Sequence, residues 1–197
     1  QYNEEGITEI AIYKFDGHEV IDQFISLINP EKPIQPFVVK LTGINNAMLR
    51  SAPKFYEVAK RIIEITEGCI LVAHNASFDY RILRTEFNRL GYDFKVPTLC
   101  TVELSKKLIL DQPSYSLGKL VRSLGIPMAD RHRASGDALA TVQLFKLLLA
   151  KDTEKEIVKS FVKTEIKPGM LPKLLDIVEA LPSKTGIYYI HNENGDL

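Results

Sequence analysis

The pattern of apolar positions predicts a chain of mixed α/β class that opens with paired strands. Residues 7–15 and 18–28 are β-prone, and the Asp16-Gly17 pair between them is typical of a hairpin turn. Prolines then interrupt regular structure over residues 30–36, and a short element ending in a flexible glycine follows at 41–44. We therefore expect an antiparallel meander at the start of the fold.

Farther along, apolar residues recur at spacings of three and four, which is the period of an amphipathic helix. This pattern predicts helices that begin near residue 51, that follow residue 74 and stop at Gly91, that run from a Ser116 cap to Gly125, and that span about 134–150. Residues 69–73 form instead a continuous apolar run, typical of a strand covered on both faces. Together the patterns predict a mixed β-sheet flanked by α-helices.

Beyond residue 151 the pattern changes. A charged helix over 152–163, a Pro168-Gly169 break and a second helix over 174–181 predict a connector spanning 151–182. Residues 185–190 are again β-prone and precede a hairpin-type Asn194-Gly195 turn. We expect residues 1–150 to form one domain and residues 183–197 to begin another.

Composition narrows the class of protein. The 197 residues contain 25 Lys and Arg against 25 Asp and Glu, so no strong net field draws the whole chain to nucleic acid. This balance argues against a protein that coats nucleic acid more than against an enzyme that grips a strand end locally. Without a long apolar run or a signal peptide, we expect a cytoplasmic protein that does not span a membrane. Cys69 and Cys100 form no C-x-x-C pair and are expected to be reduced thiols.

Several polar residues lie where α/β sheets place catalytic groups. His74 ends the apolar run, Asp79 falls in the first turn of the next helix, and Asp137 falls in the first turn of the last helix. His132, five residues before Asp137, supplies an imidazole whose ordinary pKa near 6.5 lets it accept a proton at neutral pH. Taken alone, each acid is equally a partner of its helix dipole. Their combination predicts a metal-dependent nuclease with His132 as general base.

Two arginines flank this histidine. Arg131 and Arg133 are expected to disfavour the protonated form of His132, because like charges repel. Their guanidinium groups are also expected to meet substrate phosphate.

Four segments of the chain occur in an order that matches a known family. They are Leu41-Thr42-Gly43-Ile44 with Ala52-Pro53-Lys54-Phe55, His74-Asn75-Ala76-Ser77-Phe78-Asp79, Tyr115-Ser116-Leu117 with Leu124-Gly125-Ile126, and His132-Arg133-Ala134 through Asp137-Ala138 and Ala140-Thr141. Over residues 7–150 the chain thus resembles the DnaQ-like (DEDDh) 3'→5' exonucleases, which include the proofreading subunit of bacterial DNA polymerase III and ribonuclease T.

The resemblance implies a ribonuclease H-like fold and two divalent ions, Mg²⁺ or Mn²⁺, about 3.5 to 4 Å apart. It implies that Asp79 and Asp137 hold metal and that His132 is the general base. Four further positions match residues that line the family's terminal-nucleotide pocket: Leu41, Thr42, His74 and Phe78. Core packing explains Leu41 and Phe78 equally well, because such residues are often buried.

The implied activity is release of nucleoside 5'-monophosphates from single-stranded 3' ends, in replication proofreading or repair. A second resemblance favours DNA over RNA: Gly186-Ile187-Tyr188 is similar to the opening of a GIY-YIG endonuclease domain, which some bacterial proteins join to such an exonuclease. Two alternatives stay open, an RNA 3'-end processing exonuclease and a non-catalytic nucleic-acid-binding module of the same fold.

One family feature has no counterpart in this sequence. The first exonuclease motif, Asp-x-Glu on the first strand, supplies carboxylates shared by both ions, and no segment here matches it. Glu9 matches a structural glutamate on the following strand instead. We therefore expect the natural protein to carry a strand before Gln1, and we expect these 197 residues alone to be a poor nuclease.

Overall fold

The computed structural model describes residues 6–129 and 132–164, together with the backbone of residues 185–192. The fold is of mixed α/β class, as the sequence pattern predicts. In chain order the elements are β1 (Ile7–Phe15), β2 (Val20–Leu27), α1 (Pro36–Thr42), α2 (Asn46–Arg50), α3 (Phe55–Thr66), β3 (Ile70–Ala73), α4 (Ala76–Arg89), β4 (Thr98–Cys100), α5 (Thr101–Leu108), α6 (Leu117–Ser123), α7 (Ala134–Lys151), α8 (Glu156–Ser160) and β5 (Thr185–Asn192).

The strands form one mixed sheet in the order β2-β1-β5-β3-β4. β1 runs antiparallel to β2 and β5, whereas β3 runs parallel to β5 and β4. The hairpin predicted between β1 and β2 is present. Asp16 stabilises its turn, because the Asp16 carboxylate accepts hydrogen bonds of 2.8 Å from the backbone N–H groups of His18 and Glu19.

β5 corresponds to the β segment predicted near the end of the chain. Its backbone lies between β1 and β3, with Ile187 in register with Tyr13 on one side and Val72 on the other. The segment thus pairs within this sheet. The assignment of residues 183–197 to a separate domain stays a prediction, and the Asn194-Gly195 turn lies outside the described residues.

Helices cover both faces of the sheet. β1 has period-2 alternation, so Ile10 and Ile12 pack with α3 and α4 on one face, while Ala11 and Tyr13 pack with α6 and α7 on the other. Both sets of side chains are buried, which explains why β1 is apolar almost throughout. α4 and α7 therefore lie on opposite sides of the sheet.

Two local expectations were wrong. The charged helix predicted over 152–163 is limited to α8, because the buried Asp152 carboxylate accepts a hydrogen bond from Val158 N at 2.7 Å and holds a turn before it. Ser116 occupies the N-cap position of α6, but its side chain makes no capping hydrogen bond. The predicted Pro168-Gly169 break and the helix over 174–181 lie outside the described residues.

Two further expectations concern cysteines and membranes. The side chains of Cys69 and Cys100 are both buried. Among the described residues, no helix is long and apolar enough to cross a bilayer.

Candidate active site

The carboxyl end of β3 carries the first predicted metal ligand. β3 ends at Ala73 and α4 begins at Ala76, so Asp79 lies in the first turn of a helix that starts beside the strand end. Asn75 makes this tight connection with φ 89°, a left-handed conformation that asparagine tolerates better than most residues. The Asp79 side chain is buried. The strand-to-helix turn therefore places a carboxylate at the edge of the sheet.

The start of α7 is anchored at the same edge by Glu9 of β1. Glu9 Oε2 accepts a hydrogen bond from Ala134 N at 2.8 Å, and the Glu9 carboxylate binds the Arg133 guanidinium at 2.7, 3.1 and 3.2 Å. Glu9 pairs with β5 near the carboxyl end of that strand, and β5 is parallel to β3. The first turn of α7, with the buried Asp137, thus meets the edge that carries Asp79.

His74 is the residue immediately after β3, and its imidazole is buried. His74 Nε2 lies 2.8 Å from the carbonyl oxygen of Tyr115, and Nδ1 lies 3.0 Å from Thr101 Oγ1. Because a carbonyl only accepts, Nε2 carries the proton and Nδ1 accepts from the threonine hydroxyl. Burial lowers the pKa of His74 to about 4, although the Tyr115 carbonyl and the negative charge of Asp137 both oppose this shift.

This arrangement gives His74 a structural role. Its ring joins the end of β3, the first residue of α5 and the segment before α6, and both ring nitrogens are engaged within the protein. Contact between His74 and substrate stays a prediction.

The other predicted pocket residues differ in accessibility. Thr42 is buried, and its hydroxyl donates to Val38 O at 2.8 Å and accepts from Ile44 N at 3.1 Å, so it ends α1. Leu41 is 37% exposed, which excludes the core-packing explanation for it. Phe78 is partly buried, with the guanidinium carbon of Arg81 5.2 Å from the centre of its ring. Their contact with a nucleotide stays a prediction for all three.

His132 lies in a half-buried turn directly before α7 and has φ 66°. Its neighbour Arg133 is bound to Glu9 and keeps 37% of its side chain exposed, so contact of this guanidinium with substrate phosphate stays a prediction. Asp130 and Arg131 lie outside the described residues. The family resemblance matches Glu9 to a structural glutamate, but it does not say which residue Glu9 binds. The structure supplies that partner and shows that the Glu9–Arg133 contact holds the turn carrying the predicted base.

The carboxylates of Asp79 and Asp137 are suitable ligands for a divalent cation, although two carboxylates do not complete such a site. Asp79 and Asp137 offer carboxylate oxygens, which are the ligands that Mg²⁺ and Mn²⁺ prefer. Their burial, at 1% and 0% exposure, makes a nearby positive charge favourable. Within residues 6–129 and 132–164, no group of three or more His, Cys, Asp or Glu side chains is placed to hold a metal. The described residues thus provide two of the several carboxylates that such a site needs.

Comparison with known proteins identifies the family. A family model described as Exonuclease (RNase_T) matches residues 2–145, well over half of the chain. The chain belongs to the exonuclease family. This confirms the resemblance to DnaQ-like 3'–5' exonucleases, a family that generally uses divalent metal ions.

Curated relatives of this exonuclease domain are long proteins. The PolC-type DNA polymerase III of Caldanaerobacter subterraneus subsp. tengcongensis is 35% identical over 93% of this chain and 13% of its own length. A putative bifunctional exonuclease/endonuclease protein of Mycobacterium tuberculosis is 31% identical over 98% of the chain and 31% of its own length. The 3'-5' exonuclease DinG of Staphylococcus epidermidis is 32% identical over 93% of this chain and 21% of its own length. The chain spans less than a third of each.

Solved structures support the fold. Exonuclease X, in complex with 5' overhanging duplex DNA, has a TM-score of 0.62 and 26% identity, covering 76% of this chain and 86% of that chain. Exonuclease I of E. coli, in complex with a dA16 oligonucleotide, has a TM-score of 0.61 and 22% identity, covering 73% of this chain and 37% of that chain. The exonuclease domain therefore has the ribonuclease H-like fold expected from its sequence.

The buried histidine predicts a loss of stability in acid. Unfolded His74 gains a proton below its ordinary pKa of 6.5, whereas folded His74 gains one only near pH 4. As pH falls through this window the unfolded state binds more protons, so the free energy of unfolding drops, by about 3 kcal/mol in full. Urea unfolding at several pH values should show that His74→Gln flattens this decline.

His18, an exposed histidine, provides the matched control, since His18→Gln should leave the decline unchanged. Parallel stability curves for wild type and His74→Gln between pH 6.5 and pH 4 would show that another group is responsible.

Proposed function

We propose that this domain is a metal-dependent 3'–5' exonuclease that releases nucleoside 5'-monophosphates from single-stranded 3' ends of DNA. The observation that carries the proposal is the meeting of two buried carboxylates, Asp79 and Asp137, at one edge of the sheet. They come from helices on opposite faces, and the turn with His132 precedes one of these helices. A role in replication proofreading or repair is supported by the names of the relatives, a PolC-type polymerase and the exonuclease DinG.

Each residue has a separate task in this proposal. Asp79 and Asp137 would hold the cations, which we take to be two Mg²⁺ or Mn²⁺ ions. Bound cations of this kind stabilise the negative charge that builds up on the phosphate during cleavage. His132 would accept the proton of the attacking water at an imidazole nitrogen, which suits a group whose ordinary pKa lies near neutrality.

Apolar surface would position the terminal nucleotide. Leu41 and Phe78 both keep part of their side chains accessible, and such surfaces pack against a base or sugar without reading sequence. DNA is the preferred substrate in this proposal because Exonuclease X was solved in complex with 5' overhanging duplex DNA and because a curated relative is a PolC-type DNA polymerase.

A nuclease assay tests the proposal directly. Single-stranded DNA labelled at the 3' end should lose its label as a mononucleotide, in reactions that need Mg²⁺ or Mn²⁺ and stop with EDTA. Removal of label from the 5' end first, or turnover unaffected by EDTA, would contradict it. Faster digestion of a matched RNA would favour the RNA-processing alternative. Calorimetry that detects no Mn²⁺ binding to the full encoded protein would favour the non-catalytic module.

The same assay tests whether these 197 residues are impaired. The described residues bring two carboxylates to the site, so we expect weak metal binding and slow turnover from this chain alone. A version extended by any residues that its gene encodes upstream of Gln1 should be faster. Equal rates for the two forms would contradict this expectation.

We further propose that residues 183–197 open an endonuclease-like module of the GIY-YIG type. The name of the Mycobacterium tuberculosis relative, which combines exonuclease and endonuclease, supports this proposal. Expression of the protein with any residues that its gene encodes after residue 197, followed by a plasmid-nicking assay, tests it. A protein that digests only from strand ends would contradict it.

A further inference from the structure

A cleft of about 670 Å³ lies beside the predicted catalytic residues and is separate from them. Its first wall is the outward face of α4, which contributes Ser77, Arg81 and Arg84 among others. Its second wall is the edge strand β4 together with Lys163 and the residue after it. Two backbone hydrogen bonds of 2.8 Å join Lys163 to Thr98 of β4, so this second wall is attached to the sheet.

The cleft is lined by cations and polar groups. Arg81, Arg84 and Lys163 line it, and none of its described lining residues is acidic. Two acids stand nearby: Arg84 Nη2 is 3.6 Å from Asp93 Oδ1, and Lys163 Nζ is 2.7 Å from Glu103 Oε2. The Asp93 and Glu103 side chains are 58% and 44% exposed, and solvent-exposed ion pairs contribute little free energy. A phosphate entering the cleft can therefore compete for these cations.

The arginines are held in place by aromatic rings. The guanidinium carbon of Arg84 is 5.6 Å from the centre of the Tyr80 ring, and that of Arg81 is 5.2 Å from the centre of the Phe78 ring. Stacking of this kind reduces the freedom that an arginine loses when it binds a phosphate. Arg81 also links the cleft to Phe78, which the proposed function places against the terminal nucleotide.

The dimensions match a short stretch of strand. Ser77 and Arg84 are seven residues apart on α4, or about 10 Å at a rise of 1.5 Å per residue, so this wall is long enough to meet more than one backbone phosphate. A strand whose 3' nucleotide contacts Phe78 thus passes Arg81 and enters the cleft with its next phosphates.

We propose that this cleft binds the phosphodiester backbone of single-stranded DNA upstream of the nucleotide being removed. This inference rests on the proposed function, because it assumes a nucleic-acid substrate. The cleft has no sequence-reading role, since its cations face backbone charge common to all nucleotides. It sets the length of strand that the domain grips.

Binding without turnover tests the cleft apart from catalysis. Fluorescence anisotropy in EDTA compares a labelled thymidine dinucleotide with an eight-nucleotide oligomer. We expect Arg84→Gln with Lys163→Gln to weaken binding of the octamer by about tenfold and to leave the dinucleotide unaffected. The slope of log affinity against log salt should fall by about 1.4, since each lost phosphate contact on a single strand removes about 0.7.

The matched control removes two positive charges elsewhere, with Arg122→Gln on α6 and Lys151→Gln at the end of α7, both exposed. Unchanged octamer binding by the cleft variant overturns the proposal, as does an equal loss in the control or an equal loss for the dinucleotide. Should the wild type bind neither oligomer, the cleft fails, while the nuclease assay with Mg²⁺ or Mn²⁺ decides the proposed function separately. If the wild type binds the octamer and the cleft variant binds it equally well, the cleft proposal is contradicted and the proposed function is not affected.

Discussion

Asp137→Asn is expected to lower exonuclease activity by a factor on the order of 10² to 10³ or more, because it removes charge that stabilises the transition state through bound metal. Asparagine has the same shape as aspartate, so the first turn of α7 should be preserved. A buried neutral amide also costs less desolvation than a buried carboxylate, and Asp137 is fully buried. The free energy of unfolding should therefore hold steady while activity is lost.

The measurement is the rate of mononucleotide release from 3'-labelled DNA by the full encoded protein, beside urea unfolding of the same samples. Asp111→Asn is the matched control, since Asp111 is exposed and its φ of 59° suits asparagine. Activity close to wild type in Asp137→Asn would remove this residue from the proposed metal site. A parallel loss of stability would instead reveal a structural role.

Glu9→Ala is expected to lower the free energy of unfolding by roughly 2 kcal/mol, because it removes the buried carboxylate that binds Arg133 and leaves the buried Ala134 N–H without its acceptor. The Glu9 carboxylate is 3% exposed and accepts from both Arg133 and the Ala134 backbone, so one truncation releases the start of α7. The turn with His132 should then lose its position, since its left-handed backbone needs surrounding contacts. We expect kcat to fall more than KM rises.

Urea unfolding and steady-state kinetics check this result. Glu67→Ala, at an exposed position after α3, gives the baseline for losing a surface carboxylate. Arg133→Lys keeps the charge but not the two-pronged contact, so it should lower kcat with a smaller effect on stability. If Glu9→Ala unfolds as Glu67→Ala does, Glu9 does not anchor α7.

The local pattern of apolar and turn residues was sufficient to predict the longer helices and strands. The β1–β2 hairpin, β3, α4 and α7 are as predicted, because each has a clear period or turn signal within its own residues. Shorter elements gave too few residues for a period. β4 has only three residues. The sequence predicts a short element over residues 41–44, where the structure has the end of helix α1 at Thr42 and its C-cap at Gly43. α5 follows β4 directly and was not predicted either.

The chemistry of the candidate site was also accessible from sequence, because the motifs around Asp79 and Asp137 place each acid one turn into a helix. Their exact neighbours were not. His74 was expected to face substrate, and the structure shows its ring bound to Thr101 and to the Tyr115 carbonyl. Those partners are 27 and 41 residues away, beyond the reach of any local pattern.

By itself, then, the sequence determined the fold class and the family, and it predicted the acids and histidines of the candidate site, since these depend on residue type and short spacing. The tertiary structure alone decided that Glu9 anchors the turn of His132, because that contact joins residues 124 apart. It also decided that α4, β4 and Lys163 enclose a cationic cleft. Contacts of this kind form only when packing of the sheet and its helices brings distant segments together.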